Sequence, residues 1–249
     1  MAELRTKSLI GGRRRRQPLI RPNNRFRVLL AFLILSLLIS PLLEQERFAI
    51  GVIRVLLSLA LVAAVYGVSR RRSDMVIGGI IAAPSLIGRW LPAFNTSVPV
   101  FVAVTAATTL FLVFVAYLII AEVARLRTVT FDTIFGAACG YLLIGSIWAF
   151  IYSMINVVFD PGFIFTDVAK LPPAPDLIHR ARLIPLFYFS FITLTSTGYG
   201  DILPLVPVAK AFAVFEAMIG QFYVAILVAR LVSLEIVSSR RDSGSGPAG

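Results

Sequence analysis

The sequence is poor in the residues that build catalytic and metal sites. Its 249 residues include one cysteine, Cys139, and one histidine, His179. A single cysteine excludes an intrachain disulfide, and a single histidine excludes a histidine pair or a multi-histidine metal site within one chain. Charge is also scarce, because 15% of the residues are charged, against about 25% in soluble domains. These shortages argue against an enzyme and against a bound cofactor.

Apolar sequence is present in excess, at 58% of the residues, and it is gathered in six blocks. Each block approaches the ~20 residues that cross the hydrocarbon core of a bilayer. The blocks are 28–43, 48–68, 75–91, 98–121, 131–159 and 206–237. A shorter apolar segment, 184–195, follows a Pro-rich polar loop and is too short to span, so it predicts a re-entrant helix. The sequence therefore predicts an all-α membrane protein with six transmembrane helices.

Positive charge is distributed unevenly along the chain. Lys and Arg number 24 against 13 Asp and Glu, and nine of the 24 precede residue 28. With the N-terminus inside, sixteen lie on cytoplasmic segments and five on outer loops, which is the bias typical of membrane proteins. We therefore expect a multi-pass protein of the cell membrane with both termini cytoplasmic. The basic segment 1–27 favours contact with anionic lipid over nucleic acid.

A distinctive motif follows the re-entrant segment, where residues 193–201 read Thr-Leu-Thr-Ser-Thr-Gly-Tyr-Gly-Asp. This motif resembles the filter signature of potassium channels, in which threonines precede Gly-Tyr-Gly-Asp. Residues 140–149, with Tyr152 and 159–162, resemble the outer helix of bacterial ion channels of the two-helix pore class. The resemblance covers roughly residues 131–238, and it places the motif between the fifth and sixth spans.

The resemblance implies a potassium-selective channel that assembles as a homotetramer. Its ion filter would consist of Ser196, Thr197, Gly198, Tyr199 and Gly200. The carbonyl groups of residues 196 to 199, with the Ser196 hydroxyl group at the inner end, would replace the water around K⁺, the permeant ion. Glycine suits positions 198 and 200 because it permits backbone angles that other residues resist. Support for the filter is expected from Thr193, Thr195, Asp201 and Tyr188.

Two residues of the motif depart from the family pattern. Ser196 stands where threonine is usual, and Thr197 stands where valine or isoleucine is usual. Neither change removes an oxygen atom from the pore, but Thr197 introduces a polar group behind the filter. These departures leave a less selective monovalent cation channel open as an alternative.

The sixth span carries several candidate functional residues. Gly220 stands 19 residues after Asp201, where many potassium channels have a hinge glycine, and close helix packing is the alternative explanation. The residues expected to line the cavity share one helical stripe: Gln221, Val224 and Val228. Glu216 lies one turn before Gly220, and an acid inside a span predicts filter support or ion attraction.

The region before the pore domain lacks the pattern of a voltage sensor. Such a sensor needs arginine at about every third residue of its fourth span, whereas residues 98–121 contain no charged residue. We expect little intrinsic voltage dependence, and no gating stimulus is indicated. The predicted organisation is a basic segment 1–27, a four-helix region 28–124, a pore domain 128–238 and a flexible cytoplasmic tail 239–249.

Two other classes of membrane protein were weighed against the channel. A secondary transporter predicts an internal repeat, and no Gly-Tyr-Gly element stands in residues 20–120 to match the one at 198–200. A non-conducting protein with a relic pore is disfavoured because both filter glycines are intact.

Overall fold

The computed structural model describes residues 25–42, 72–88, 90, 96–125, 130–166 and 177–243. The predicted second span, 48–68, lies outside the described residues, as do most of the basic N-terminal segment and residues 244–249 of the tail. The elements in chain order are α1 (Arg25–Leu42), α2 (Arg72–Gly88), α3 (Val98–Arg125), α4 (Phe131–Phe159), β1 (Phe163–Phe165), α5 (Leu177–Arg180), α6 (Leu183–Leu194), β2 (Ile202–Pro204) and α7 (Pro207–Ser243).

Among the described residues, three helical stretches are long and apolar enough to cross a membrane. They are Val98–Ala124, Phe131–Phe159 and Pro207–Ser233, and they coincide with the predicted fourth, fifth and sixth spans. α1 and α2 coincide with the first and third predicted blocks, but the apolar part of α2, Val76–Gly88, is shorter. The mostly helical fold is confirmed, with three candidate membrane-spanning helices among the described residues, and the count of six spans stays a prediction.

Helix α4 is the centre of the fold and packs against α1, α3 and α6. Its N-terminus has a capping box, in which Thr130 and Thr133 each bond the backbone N–H group of the other. The large buried side chains between α3 and α4 are Phe111, Val115, Ile119 and Leu143. Because α4 packs against several helices, its position is fixed, and α6 packs against it.

A small antiparallel sheet corrects the prediction of a purely helical chain. β1 lies within the segment interpreted as a polar loop, and it pairs with β2, with Ile164 opposite Leu203. The pairing is stabilised because Phe163 and Ile202 are buried in the same apolar cluster. Three-residue strands leave little periodic signal in a sequence, so the flanking proline and polar residues concealed this pair.

Asn156 organises the loop that leads from α4 to this sheet. Its side-chain oxygen accepts hydrogen bonds from the N–H groups of Gly162 and Phe163, at 3.1 and 3.2 Å. Its Nδ2 donates to the carbonyl oxygen of Arg180 at 2.8 Å, and the Arg180 guanidinium group pairs with Asp160. One amide therefore joins the end of α4, the start of β1 and α5.

Candidate ion filter

The predicted filter begins at the C-terminal end of α6 and turns back over it. The N–H group of Ser196 bonds the carbonyl oxygen of Thr193 at 2.9 Å. The carbonyl oxygen of Ile192 accepts from Thr197 at 2.7 Å and from Gly198 at 3.2 Å. The N–H groups of the first three residues of the predicted filter therefore all bond the last turn of the helix.

The backbone of residues 196–200 alternates in the sign of φ. Ser196, Gly198 and Gly200 have φ of 56°, 54° and 80°, whereas Thr197 and Tyr199 are not in the left-handed region. Positive φ is uncommon for a residue other than glycine, which makes Ser196 notable. Such an alternation can turn successive carbonyl groups toward one side, as a line of cation ligands requires. The two glycines stand where the alternation needs them.

The hydroxyl group of Thr197 has a partner behind the filter. Its Oγ1 lies 2.8 Å from the Oγ1 of Thr195, and Thr195 in turn donates to the carbonyl oxygen of Phe191 at 2.7 Å. The unusual polar residue at position 197 is therefore accommodated by the threonine two positions before it. This pairing is a local explanation for the departure from the family pattern.

The outer end of the filter is supported by Tyr188 and by the sheet. The rings of Tyr188 and Tyr199 stack in parallel planes, with centroids 6.5 Å apart. The carbonyl oxygen of Asp201 accepts two bonds of 2.9 Å from Thr166, one from its N–H group and one from its hydroxyl group. The residue that follows the predicted filter is thus fixed to the end of β1.

Glu216 is fully buried between three helices. Its two carboxylate oxygens accept hydrogen bonds from the hydroxyl groups of Tyr152 on α4, at 2.6 Å, and Ser190 on α6, at 2.5 Å. The Ser190 hydroxyl group is also 2.7 Å from the carbonyl oxygen of Gly145. Glu216 differs in burial from Gln221, Val224 and Val228, which are exposed. Glu216 therefore joins α7 to the back of α6 and does not lie with the predicted cavity residues.

Gly220 and Gly145 allow the helices around the filter to approach closely. A Cβ atom at position 220 would collide with the backbone carbonyl group of Leu194, whose carbon would be 2.9 Å away. A Cβ atom at position 145 would come within 2.6 Å of the ring of Phe191. Helix α7 continues through Gly220 without a break. The contact with Leu194 favours the packing explanation for Gly220, and the hinge stays a prediction.

Aromatic residues hold α6 against α4. Phe189 lies with Tyr152 and Phe163 in an edge-to-face cluster with ring centroids 5.2 to 5.4 Å apart. Phe187 packs on the ring of Phe150, with centroids 5.6 Å apart and planes inclined by 80°. These contacts assign Phe187 and Phe189 to the packing between helices within one chain.

The inner end of the filter contacts α7 through a single polar side chain. The Nε2 atom of Gln221 donates a hydrogen bond of 3.0 Å to the hydroxyl oxygen of Ser196. Both residues are exposed in the single chain, as are Val224 and Val228 further along α7. The sequence analysis placed Gln221 on the cavity stripe but did not predict its bond to the filter.

Ser190, which bonds Glu216, was not predicted from the sequence, and Tyr152 and Gly145 were named only within the outer-helix resemblance. The available signal was Glu216 itself, because a buried carboxylate requires donors, and hydroxyl groups in apolar helices are the candidates. Within the described ranges, no group of three or more His, Cys, Asp and Glu side chains is arranged to hold a metal ion.

Parts of the chain are similar to known proteins. Residues 108–235, just over half of the chain, match the family model described as Ion channel. "Two pore potassium channel c" of Oryza sativa subsp. japonica is 46% identical over 46 residues, which cover 18% of this chain and 10% of that protein. "Protein LctB" of Bacillus caldotenax is 28% identical over 130 residues, covering 49% of this chain and 92% of that protein.

The match to the rice channel is local, because this chain spans about a tenth of its length. No solved structure matches the chain significantly. The family match itself runs from within α3 to α7 and therefore includes α4, α6 and the segment between α6 and α7. The chain belongs to the family of ion channels built on a two-helix pore.

Proposed function

We propose that this chain is a potassium-selective channel whose filter consists of residues 196–200. The observation that carries the proposal is the alternation of φ at Ser196, Gly198 and Gly200, directly after a short helix and before a membrane-length helix. K⁺ must lose its water to enter a narrow pore, and aligned carbonyl groups of residues 196–199 would replace it. The name of the rice relative, a potassium channel, agrees with this choice of ion.

We propose that α6 enters the membrane without crossing it and that the chain after α6 returns to the same side. Its 12 residues are about 18 Å long at 1.5 Å per residue, well short of the ~30 Å hydrocarbon core. Its C-terminal end carries the negative end of the helix dipole, which favours a cation just beyond the inner end of the filter. Together with α4 and α7, this helix forms the pore domain at 128–238.

The proposed assembly is a homotetramer, because one chain supplies one strand of the filter and a cation needs ligands on all sides. The exposure of the filter in the single chain supports this assembly. All five filter residues are exposed, and the Tyr199 side chain is 72% exposed although its ring is large and aromatic. Neighbouring copies of the chain would cover these surfaces.

We propose that the channel lies in the cell membrane with both of its termini in the cytoplasm. This orientation rests on the excess of Lys and Arg on one side of six predicted spans. In this orientation the sheet at 163–165 and 202–204 faces outward, and the basic segment 1–27 meets anionic lipid of the inner leaflet.

Flux through purified protein in liposomes tests the proposal. We expect K⁺ flux that Ba²⁺ blocks, and reversal potentials in mixed K⁺ and Na⁺ that favour K⁺. A Gly198→Ala variant is the control, because alanine is strained at the φ of 54° that position 198 requires. This variant should abolish the flux if residue 198 belongs to the filter.

The same measurement separates the alternatives. Equal permeability to K⁺ and Na⁺ would indicate the less selective cation channel that Ser196 and Thr197 left open. Flux coupled to another substrate would indicate a secondary transporter. Absence of any flux from correctly assembled protein would indicate a relic pore and contradict the proposal.

A further inference from the structure

The hydrogen bond between Gln221 and Ser196 joins the membrane-spanning helix α7 to the first residue of the filter. We propose that Gln221 weakens cation binding at the innermost filter site by occupying the Ser196 hydroxyl oxygen with its amide N–H group. Gln221 would thus be a residue that determines the affinity of this site. The inference rests on the proposed function, in which this hydroxyl group is the innermost ion ligand.

A serine hydroxyl oxygen has two acceptor lone pairs, and the Nε2–H group of Gln221 engages one of them at 3.0 Å. The bonded hydrogen carries partial positive charge and lies beside the place where a cation would approach. A cation at Ser196 therefore shares its ligand with a competing donor, whereas an apolar residue at 221 would leave both lone pairs to the ion.

Both ends of this hydrogen bond are held in place by other contacts. The backbone of Gln221 follows Gly220, which packs directly on the carbonyl group of Leu194. The N–H group of Ser196 bonds Thr193 at 2.9 Å, and its backbone is held at φ 56°. The distance between the amide and the hydroxyl group is thus set by the packing of α7 on α6.

The proposal makes a prediction about block by Ba²⁺ applied from the cytoplasmic side. Ba²⁺ is close to K⁺ in size but carries twice the charge, so it responds strongly to a change in its ligands. We expect Gln221→Leu to lower the Ba²⁺ concentration for half block about tenfold, which is the equivalent of one hydrogen bond of about 1.4 kcal/mol. Methionine has a side chain of similar length to glutamine and no donor, so Gln221→Met should lower the Ba²⁺ concentration for half block as Gln221→Leu does.

A double-mutant cycle with Ser196→Ala tests whether the effect passes through the hydroxyl group. In the Ser196→Ala background, Gln221→Leu should leave the block unchanged, because the hydroxyl oxygen that accepts the hydrogen bond from Gln221 is absent. The matched control is Phe222→Leu. Phe222 is next to Gln221 on α7 and is 64% exposed, and this variant should be blocked by Ba²⁺ at the same concentration as the wild type. Size-exclusion chromatography checks that each variant assembles.

The outcomes separate this inference from the proposed function. Wild-type protein without Ba²⁺-sensitive K⁺ flux would contradict the proposed function and this inference with it. A K⁺-selective wild type with unchanged block in both Gln221 variants would overturn this inference alone. It would also be overturned if Gln221→Leu acted equally in the Ser196→Ala background, because the amide would then act through the cavity and not through the hydroxyl group.

Discussion

The hydroxyl group of Tyr152 lies 2.6 Å from a carboxylate oxygen of Glu216, and this contact joins the C-terminal half of α4 to the N-terminal half of α7. The other carboxylate oxygen bonds Ser190 on α6, so one acidic side chain connects the two long helices with the short helix that precedes the proposed filter. A carboxylate buried in an apolar protein is stable only if its oxygens are hydrogen-bonded. The position of α6 therefore depends on this set of three side chains.

Removing the Tyr152 hydroxyl group should destabilise the protein with little change of shape. Tyr152→Phe leaves one carboxylate oxygen without its donor, and we expect the free energy of unfolding to fall by about 1–3 kcal/mol. Thermal unfolding of purified protein in detergent micelles measures this change. The matched control is Tyr117→Phe on α3, where the side chain is 65% exposed, and equal loss of stability in both variants would contradict the prediction.

Substitutions of Glu216 should be graded by the hydrogen bonds that they retain. Glu216→Gln keeps an oxygen for Tyr152, and its amide N–H group can donate to Ser190, whose own proton goes to the carbonyl oxygen of Gly145. Glu216→Leu keeps neither bond, so the buried Tyr152 hydroxyl group loses its acceptor, whereas Ser190 retains the carbonyl oxygen of Gly145. We therefore expect the leucine variant to lose more stability and K⁺ selectivity than the glutamine variant, measured by unfolding and reversal potential. The reverse order would disprove this grading.

Gly220→Ala separates the packing explanation from the hinge. Because the added methyl group would collide with the backbone of Leu194, it must push α7 away from the end of α6, at a cost of about 1–3 kcal/mol. Packing predicts lower thermal stability together with altered K⁺ selectivity, whereas a hinge predicts altered channel opening at unchanged stability. Gly79→Ala on α2 is the control, because a Cβ atom there has no neighbour within 4 Å.

The two threonines behind the filter should respond unequally to replacement by valine. In Thr197→Val, Thr195 still donates to the carbonyl oxygen of Phe191, so no polar group loses its last partner. Thr195→Val breaks both bonds and isolates the Thr197 hydroxyl group. We expect reversal potentials to show preserved K⁺ preference in Thr197→Val and reduced preference in Thr195→Val. Equal behaviour of the two variants would mean that this pair does not support the filter.

Current through the channel should depend only weakly on membrane voltage. The charge-free stretch 98–121 lies within α3, which therefore has no arginine series for the membrane field to move. Recordings from planar bilayers over a wide voltage range should give a nearly constant open probability. Steep activation equivalent to several gating charges would contradict this expectation.

Much of the helical architecture could be predicted from the sequence because it depends on properties of single segments. The stretches Val98–Ala124, Phe131–Phe159 and Pro207–Ser233 lie where the apolar blocks indicated them, since length and hydropathy alone decide whether a helix suits a bilayer. The filter motif was also recognisable, because glycine at 198 and 200 reflects a local backbone requirement. The pairing of β1 with β2 was missed, since strands so short are decided by burial of Phe163 and Ile202.

The sequence by itself determined which segments are apolar, where the backbone must take positive φ at glycine, and that an acid lies within the last span. Only the tertiary structure decided that Glu216 bonds Tyr152 and Ser190, that Gly220 packs on Leu194, and that Gln221 reaches Ser196. The physical reason is that hydropathy and backbone preference belong to each residue and its neighbours. Hydrogen bonds and close contacts between helices depend on how residues 25 to 64 positions apart are brought together, and no local pattern encodes that.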